Sequence, residues 1–411
     1  RLLSIVLPSR PPMDFSTNKR TVIASILLNA VLLLIVAMRA VDSRRGVLET
    51  SLRGAKSHMG ASSMFSTASP HISRFSRSRA SLAANADRFK VLILQNKGGG
   101  HGEIGYHLAS QLATDGHAVT LLGDPATKKD KLPFSRYGDL MGKGVTIKYG
   151  DACSPGTLQE LGEFDAVFDN ISKGKDSCKV AADKAKEWGV KHYAYVSSAG
   201  MYKPGVIFPM SESLPVKESA GQKEVEDYLN SLGLPWSSFR PQYIYGPLTN
   251  KRDYLDYFFD RIVRGRPVPV AGNGQQLVTL THAADVASML GSVLDAGEKA
   301  HMKVFNCATD QLITVDDLIH VCAKIAGVPT PRIVHYDPKK VKLEKKAFPF
   351  RDSNFFVAPD RAKAELGWSC QHDLEKELKA YFEGYRALGK TEKDMSFPID
   401  DTILGQVPQH V

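Results

Sequence analysis

The segment FKVLILQNKGGGHGEIGYHLASQLATDGHAVTLLGD, residues 89–124, decides the fold class of this chain. An apolar strand is followed by a glycine-rich turn, an amphipathic helix and a second apolar strand, which together predict a βαβ unit. Gly99, Gly102 and Gly105 have the spacing GxxGxxG, and Asp124 lies nineteen residues beyond the last of them. A missing Cβ at such a turn lets backbone N–H groups and the helix N-terminus approach a pyrophosphate. Glycine-rich turns also serve packing alone, but the position directly after a strand predicts a dinucleotide-binding fold.

Strands and helices continue to alternate beyond this unit. The segments GVTIKYGDACSPGTL (144–158), FDAVFDN (164–170) and VKHYAYVSSAGMY (190–202) are predicted as strands with the loops that follow them. Their alternation with helices predicts an α/β fold, a Rossmann-like doubly wound parallel sheet. We predict a dinucleotide-binding domain over 89–245 and a smaller C-terminal α/β substrate-type domain over 246–411, interleaved with the first.

The positive charge of the chain is concentrated near its N-terminus. The net charge is +9, and residues 1–88 alone hold 13 Lys or Arg against 4 Asp or Glu. The remaining residues carry 40 basic and 40 acidic side chains, so any contact with a polyanion must come from local patches. The five cysteines show no CxxC spacing, which argues against a zinc site or a disulfide framework and fits a reducing compartment.

The first 88 residues are predicted to be a targeting presequence. The apolar run VIASILLNAVLLLIVAM (22–38) has the character of a signal-peptide core, and a single membrane-spanning anchor is the alternative. Residues 39–88 are rich in Ser, Ala and Arg and poor in acid, which is typical of organelle transit peptides. A signal-like core followed by a transit-like stretch resembles two-part plastid presequences and predicts a mature chain in the plastid stroma, without a membrane segment. Residues 1–12, ahead of Met13, are interpreted as translated leader.

Several motifs resemble those of the extended short-chain dehydrogenase/reductase family of nucleotide-sugar epimerases and dehydratases. These motifs are GDxxxxxxL at 150–158, SSAGMY at 197–202, FRPxxxYGP at 239–247, GNGxQ at 272–276 and HxxD at 282–285. The resemblance implies a nicotinamide dinucleotide held at Gly99, Gly102, Gly105, Asp124 and Asp151. The loop NKGGGHG differs from the common GGTGFIG, so a filled and an empty pocket both stay open, as does the choice between NAD and NADP.

The chemistry of that family needs a serine, a tyrosine and a lysine, because the lysine ammonium lowers the tyrosine pKa and lets the phenol exchange protons. Ser198 matches the serine. If Lys223 is taken as the lysine, Ser219 stands where the tyrosine is expected. Residues 203–227 contain no tyrosine at all. Hydride transfer or epimerisation by the usual route is therefore not expected.

A different alignment of the helix at 216–229 with the family pattern also leaves no tyrosine at the catalytic position. A second expected residue, an arginine, is missing as well. A register fixed by Glu226 and Leu229 places Glu218 and Gln222 at the tyrosine and lysine positions. Val278 stands where the family commonly has an arginine that grips a diphosphate through charge-assisted hydrogen bonds. An apolar side chain cannot neutralise a diphosphate, so the nucleotide-sugar clamp is predicted to be lost as well.

The C-terminal half narrows the resemblance. YFFDRIVRGRPVPVAGNGQQL (257–277), VFNCATDQLITVDDL (304–318), IVHYDPKKVKLEKKAFPFRDSNFF (333–356) and AKAELGWS (362–369) resemble the chloroplast stem-loop-binding proteins, atypical members of the dehydrogenase superfamily. The glycine loop GGGHGEIG and SSAGMYKP favour the a-type over the b-type. The resemblance implies a plastid protein that recognises stem-loop RNA, cleaves RNA with divalent-metal dependence, and associates with ribosomal or transcriptional assemblies and with itself or other subunits.

Two basic groups are candidates for RNA contact, because phosphate neutralisers beside aromatic rings can hold unpaired bases. The first group is Arg261, Arg264 and Arg266. The second is Lys339, Lys340, Lys342, Lys345, Lys346 and Arg351, interleaved with Phe348, Phe350, Phe355 and Phe356. The alternative is that the phenylalanines belong to the core and that the lysines are simply solvated.

A metal-dependent nuclease needs carboxylates or imidazoles that converge on a hard cation such as Mg²⁺. Asp253, Asp256 and Asp260 have the spacing of one helical face and form one candidate set, although acidic faces are common on surface helices. His101, His282 and His335 are candidate general bases, with a structural role as the alternative. The resemblance supplies no catalytic residue, so the metal and cleavage sites stay open.

The sequence leaves three functional hypotheses. The first is a plastid RNA-binding protein on a catalytically altered dehydrogenase fold, with metal-dependent endoribonuclease activity in transcript or rRNA processing. The second is a nucleotide-sugar epimerase or reductase with an unusual proton donor. The third is a non-enzymatic plastid assembly factor, which the near-neutral charge of 89–411 keeps open.

Overall fold

The structure is a computed structural model that describes residues 88–343 and 347–407, and these residues belong to one structural unit. The predicted presequence, apart from Arg88, and the candidate residues Lys345 and Lys346 lie outside the described residues. Within them the strands are β1 (Lys90–Gln95), β2 (Ala118–Gly123), β3 (Thr146–Tyr149), β4 (Ala166–Asp169), β5 (His192–Val196), β6 (Trp236–Pro241), β7 (Ile244–Tyr245), β8 (Val268–Ala271), β9 (Leu277–Val278), β10 (Thr281–His282), β11 (Lys303–Cys307), β12 (Ile313–Thr314) and β13 (Ile333–Tyr336).

The helices alternate with these strands. They are α1 (Gly99–Thr114), α2 (Tyr137–Gly142), α3 (Pro155–Leu161), α4 (Lys175–Trp188), α5 (Gly221–Leu232), α6 (Asp256–Ile262), α7 (Ala283–Gly291), α8 (Val293–Ala296), α9 (Val315–Ala326), α10 (Asp360–Leu366), α11 (Leu374–Ala387) and α12 (Pro398–Gln406). None of the helices in the described part of the chain is both long and apolar enough to cross a membrane.

The main sheet has seven parallel strands in the order β11-β6-β5-β4-β1-β2-β3. The strand order reverses between β1 and β4, and in open α/β sheets ligands bind at the carboxyl ends of the strands at such a point. The seventh strand, β11, comes from the second half of the chain, so the two halves interleave. The predicted doubly wound parallel sheet is confirmed, whereas the domain boundaries stay a prediction.

Alternate residues of each central strand face opposite layers of helices, because side chains of a strand point to the two faces in turn. Val91 and Ile93 of β1 belong to the core that contains α1 and α7. Leu92 and Leu94 belong to the core that contains α4 and α5. Near-continuous apolar strands, as seen in the sequence, are what a sheet covered on both faces requires.

A second region lies beside the carboxyl ends of the sheet and has its own core. Helices α6, α9 and α11 pack there against the parallel pair of β8 and β13. Val278 of β9 is fully buried in this core, and it forms an isolated bridge with Phe355. The two regions meet at a small cluster that includes Tyr202 and Phe355.

Candidate functional site: two adjoining cavities at the carboxyl ends of the strands

The first cavity, here called the glycine-loop cavity, has a volume of about 920 Å³ and lies where β1 and β4 diverge. Its lining includes the glycine loop at 98–101, the loop at 250–254, Lys173 and Ser198. Three tyrosines, at 243, 254 and 257, and Phe348 complete the wall that faces the glycine loop. This is the position at which the sequence predicted a dinucleotide.

Two of the three predicted glycines are required by conformation or by close approach. Gly99, the first residue of α1, has φ +62°, in the left-handed region that favours glycine. A Cβ on Gly105 would lie 1.6 Å from Oε1 of Gln95, whose Nε2 donates to the Gly102 carbonyl at 2.8 Å. Gly105 thus lets α1 pack against the end of β1, and Gly102 lies in the same turn. Gly99 and Gly105 therefore have a conformational and a packing reason to be glycine, and their contact with a pyrophosphate stays a prediction.

Some of the N–H groups of that cradle already have partners. Asn250 Oδ1 accepts a hydrogen bond from the Gly99 N–H at 2.7 Å, and Asn96 Oδ1 accepts one from the Gly98 N–H at 3.0 Å. The His101 ring lies 3.1 Å from Asn170 Oδ1, and Asn170 Nδ2 donates to the His101 carbonyl at 2.6 Å. Burial lowers the pKa of His101. The Gly99 N–H is therefore engaged by Asn250 in this structure.

The two acidic residues expected to contact the dinucleotide, Asp124 and Asp151, are engaged in contacts of their own. Asp124 follows β2, where Lys97 Nζ approaches its Oδ2 to 2.6 Å and the Ala126 N–H donates to Oδ1. These contacts, the Lys97 bond first, hold the pKa of Asp124 below its usual range. Asp151 follows β3 and accepts a hydrogen bond from the Cys153 N–H at 2.9 Å, which closes the turn before α3. Neither carboxylate lines the cavity.

The predicted catalytic positions are not brought together. Ser198 lines the cavity, and its hydroxyl accepts a hydrogen bond from the Gly200 N–H at 3.1 Å. Ser219 is exposed and precedes α5, while Lys223 Nζ pairs with Asp227 one helical turn along at 2.6 Å. Neither of them lines the cavity. The proton relay of the family is therefore missing in the structure as well as in the sequence.

The tyrosines that line the glycine-loop cavity do not supply the missing proton donor. The Tyr243 hydroxyl accepts a hydrogen bond from the Arg351 N–H at 3.1 Å, and burial raises the pKa of Tyr243 to about 12. Burial also raises the pKa values of Tyr254 and Tyr257. A general acid or base of this family needs the opposite shift, toward the operating pH.

A buried ion pair that the sequence did not reveal fixes the register of α5. Arg240 of β6 donates to both carboxylate oxygens of Glu226, at 3.1 and 2.6 Å. Ser238 and Ser197 also approach Glu226 Oε1, at 2.6 and 3.3 Å. Glu226 therefore faces the sheet, which favours the register anchored on this residue. In that register Glu218 takes the tyrosine position, and its side chain is 74% exposed.

Arg261 of the first basic group is buried, which corrects its proposed RNA role, whereas Arg264 and Arg266 are half-buried and make contacts within the fold. Arg261 is buried and donates to both oxygens of Asp400, at 2.8 and 2.7 Å. Arg264 donates to backbone carbonyls of Asp260 and Lys390 at 2.8 and 2.9 Å. Arg266 pairs with Asp401. These guanidinium groups attach α12 and the segment after α11 to α6.

The three aspartates proposed for metal do not converge. Asp256 and Asp260 are buried, and they accept hydrogen bonds from Tyr381 and Tyr385 at 2.9 and 2.8 Å. Asp253 is exposed and precedes α6. Among the residues at 88–343 and 347–407, no group of three or more His, Cys, Asp or Glu side chains could hold a metal ion. Asp256 and Asp260 therefore have structural contacts, whereas Asp253 lines the glycine-loop cavity.

The other two histidine candidates lie away from both cavities. His282 is buried and stacks on His372 with ring centroids 4.1 Å apart, and burial lowers its pKa to about 3. His335 lies 3.0 Å from both oxygens of Asp316. Neither ring lines either of the two cavities.

The second basic group borders a second cavity of about 590 Å³, here called the aromatic cavity. Lys339, Lys340 and Lys342 are exposed along the segment that forms one side of it, and Arg351 lines it. The four phenylalanines of the group are buried, which corrects their proposed role as exposed stacking platforms: Phe348, Phe350, Phe355 and Phe356. Ala347 and Phe348 line both cavities, so the cavities share a wall.

Three lysines at the glycine-loop cavity were missed in the sequence. Lys97 follows β1, Lys173 follows β4, and Lys251 lies in the loop after β7, and all three line the cavity and are exposed. They are far apart in the chain and form no basic run. A search for lysines directly after predicted parallel strands would have found the first two, because strand ends meet at one edge of the sheet.

Comparisons with known proteins agree with the architecture. A family model described as NAD(P)H-binding matches residues 99–260. The UDP-glucose 4-epimerase of Thermotoga maritima with UDP-glucose has a TM-score of 0.58 at 20% identity, covering 73% of this chain and 99% of that one. The UDP-glucose 4-epimerase of Stenotrophomonas maltophila with bound NAD has a TM-score of 0.59 at 19% identity, covering 74% and 99%. At these identities the likeness shows the fold alone.

A closer relative comes from Arabidopsis thaliana. The chloroplast stem-loop binding protein of 41 kDa b is 35% identical over 334 residues, which cover 77% of this chain and 84% of that protein. The relative is of the b type, and the a-type preference drawn from the glycine loop stays a prediction. With this identity and coverage, the chain belongs to the chloroplast stem-loop-binding protein family, on an NAD(P)-binding, epimerase-like fold.

Proposed function

We propose that this protein binds stem-loop RNA in plastids and that it does so without the hydride chemistry of its fold. The observation that carries the proposal is the convergence of Lys97, Lys173 and Lys251 on a cavity from which the catalytic lysine and tyrosine are missing. Lysines neutralise phosphates, and a cluster of them on one edge supplies local attraction in a folded region with no net charge.

The charges of these lysines are available to a ligand. In the described part of the chain, Lys173 makes no ion pair, and Lys251 approaches Asp253 only to 3.3 Å with both side chains mostly exposed. Lys97 pairs with Asp124, again at the surface. Exposed ion pairs contribute only about 0–1 kcal/mol, so a phosphate competes easily with either carboxylate.

The rim of the aromatic cavity extends the basic surface. Lys217 lines that cavity and donates to the Gly200 carbonyl at 3.0 Å. Lys339 and Lys340 are exposed next to Pro338, which also lines it. The two cavities share the wall at Ala347 and Phe348, and we assign the RNA contact to the lysines that line or border them in place of the buried Arg261.

Plastid localisation is supported by the name of the Arabidopsis relative, which is described as chloroplastic. The two-part presequence at 1–88 and a stromal location remain predictions. The same holds for partnership with ribosomal or transcriptional assemblies, for oligomerisation, and for Mg²⁺-dependent cleavage. The dinucleotide is proposed as a ligand of the glycine loop that binds without turnover.

Salt-dependent RNA binding tests the proposal. The purified protein is titrated with a fluorescent stem-loop RNA across a salt series, with and without Mg²⁺, and cleavage is read on the same samples. Each phosphate contact contributes about 0.7 to 0.9 to the slope of log affinity against log salt. Replacing Lys97, Lys173 and Lys251 by Gln should therefore reduce the slope by about 2 to 3 and weaken binding.

A matched variant controls for net charge. Lys186, Lys376 and Lys379 are exposed and line neither cavity, so their replacement by Gln removes the same charge elsewhere. Equal slopes for the two triple variants would contradict the cavity as the RNA face. Absence of RNA binding by the unaltered protein would contradict the function itself, and a rise in melting temperature with NADPH would then favour the dinucleotide hypothesis.

A further inference from the structure

The turn between β1 and α1 already holds two oxygen atoms of the protein itself. The Gly99 N–H donates to Asn250 Oδ1 at 2.7 Å. The Gly98 N–H donates to Asn96 Oδ1 at 3.0 Å. Gly99 begins α1, a helix of 16 residues whose aligned peptide dipoles favour negative charge at this end. A charged phosphate oxygen is a stronger acceptor for such an N–H than a neutral amide oxygen, so a ligand phosphate can take the position of Asn250 Oδ1.

Asn250 belongs to a loop that is anchored on both sides. Before it, the Leu248 N–H donates to Oε1 of Glu103, a fully buried carboxylate, at 2.9 Å. After it, the buried Arg252 donates to both oxygens of Asp256, at 3.1 and 3.2 Å. Residues 250–251 lie exposed between these two anchors. A ligand can therefore displace the Asn250 side chain without detaching the loop from the fold.

Two of the three lysines proposed for RNA contact lie at the same turn. Lys97 immediately precedes the glycines, and its carbonyl accepts a hydrogen bond from Asn250 Nδ2 at 3.4 Å. Lys251 follows Asn250, and a Cβ built on Gly99 would lie 3.8 Å from the Lys251 Cβ. The third, Lys173, lines the same cavity. A ligand phosphate on the Gly99 N–H therefore lies among the lysines that the RNA phosphates need.

The charge balance around this turn is only slightly positive, so one anionic ligand is enough to reverse it. Lys97 approaches Asp124 at 2.6 Å. Lys251 approaches Asp253 at 3.3 Å, and Lys173 adds one further positive charge. A dinucleotide brings a negative charge on each phosphate of its pyrophosphate, which turns the small positive excess into a negative one. A second polyanion is then repelled, because like charges in close proximity oppose each other.

We propose that a nicotinamide dinucleotide and RNA exclude each other from the glycine-loop cavity, so that free dinucleotide lowers RNA binding by direct competition. The inference rests on the RNA-binding function and the dinucleotide ligand proposed above, and it adds their mutual exclusion. The pyrophosphate replaces Asn250 at the Gly99 N–H, and its charge occupies the lysines. No hydride is transferred, so the oxidised and reduced forms compete alike. RNA in turn weakens dinucleotide binding by the same factor, because such coupling is reciprocal.

Competition is measured with the purified protein and a fluorescent stem-loop RNA at constant ionic strength. NADPH, NADP⁺, NADH and NAD⁺ are titrated in turn, and binding of the two reduced forms is followed separately by their own fluorescence. For direct competition, RNA affinity should fall without a plateau, by about 100-fold at about 100 times the dinucleotide dissociation constant. An effect transmitted from a separate site levels off once that site is filled. We expect the continuous fall, with equal strength for the oxidised and reduced forms of the dinucleotide that binds.

Two substitutions at Asn250 have opposite expected effects on the dinucleotide concentration that halves RNA binding. Asn250→Ala frees the Gly99 N–H without changing the charge and should lower this concentration about two- to tenfold, the range of one hydrogen bond. Asn250→Asp keeps an oxygen at the N–H and adds a negative charge, so it should raise the concentration by about tenfold or more. Asn230 is exposed on α5 and lines neither cavity, so Asn230→Ala and Asn230→Asp are the matched controls. Melting temperatures confirm folding, and each variant is compared with its own RNA affinity in the absence of dinucleotide.

Other results would overturn the inference. A plateau in RNA affinity at saturating dinucleotide, or simultaneous binding of both ligands without loss of affinity, would exclude a shared cavity. Equal inhibition in the Asn250 and Asn230 variants would reduce the effect to screening of the lysines by an anion. Absence of dinucleotide binding would overturn the inference and leave the RNA-binding function standing. Absence of RNA binding would overturn the proposed function together with this inference.

Discussion

Arg261 and Arg351 make the same contact with an aromatic ring and differ in what else they meet. The Arg261 guanidinium lies 3.5 Å from the Tyr257 ring centroid, and that of Arg351 lies 3.6 Å from the Phe355 ring centroid. Arg261 also holds Asp400 through two hydrogen bonds, whereas Arg351 has no carboxylate partner among the described residues. An arginine with an internal anion stabilises the fold, and one without it remains available to an outside anion. Four substitutions that add, isolate or remove such charges test this difference.

The largest effect should come from placing an arginine where the fold offers neither solvent nor an anion. Val278 is fully buried in the core of the second region. Val278→Arg restores the residue expected for a nucleotide-sugar clamp, but its unpaired charge would cost several kcal/mol out of the roughly 5–15 kcal/mol by which a native protein is stable. We expect loss of soluble folded protein, measured by circular dichroism. Val206 is 94% exposed, so Val206→Arg is the control, and a native-like melt of Val278→Arg would refute the prediction.

The next effect should come from making Arg261 resemble Arg351 by removing its carboxylate. Asp400→Asn leaves a buried, unpaired guanidinium and should lower the free energy of unfolding by about 3–5 kcal/mol. Urea unfolding measures this loss. Asp401→Asn removes the exposed partner of Arg266 and should cost less than about 1 kcal/mol. Equal losses in the two variants would mean that the burial of Arg261 is not what makes its pair important.

Removal of Arg351 should change RNA affinity more than stability, the reverse of what is expected for removal of the Arg261 partner. Arg351→Gln should change the free energy of unfolding by less than about 1 kcal/mol, since no buried partner is left behind. RNA affinity should fall about tenfold, which corresponds to about 1.4 kcal/mol. Arg351→Lys should recover part of the affinity, because it keeps the charge and loses the planar fork. A large loss of stability with unchanged RNA affinity would place Arg351 in the same class as Arg261.

The smallest effect concerns a single lysine at the mouth of the glycine-loop cavity. Lys173→Gln should reduce the salt slope of RNA binding by about 0.7 to 0.9 with no change in stability, because an exposed lysine without an ion pair contributes only phosphate contact. Fluorescence anisotropy across a salt series measures the slope. Lys186→Gln on α4 should leave the slope unchanged, and an equal change in both variants would point to net charge alone.

The sequence predicted the sheet correctly because the strand, the glycine turn and the helix are neighbours in the chain. Their hydrophobic periodicity can be read without knowing any long-range contact. It also predicted the loss of the tyrosine, since a missing residue is visible without a fold. It failed for Arg261, because a basic run shows charge but not the carboxylate of Asp400, 139 residues away. It missed Lys97, Lys173 and Lys251 because these lysines are far apart in the chain. Only the topology of the sheet brings them to the same cavity.

The edge strand β11 has a consequence for shorter forms of the chain. Because β11 spans Lys303–Cys307, its partner β6 at Trp236–Pro241 remains an open edge until β11 has docked. An open strand edge offers unpaired N–H and C=O groups to other chains. A chain truncated before Lys303 should therefore aggregate rather than fold as a smaller nucleotide-binding domain.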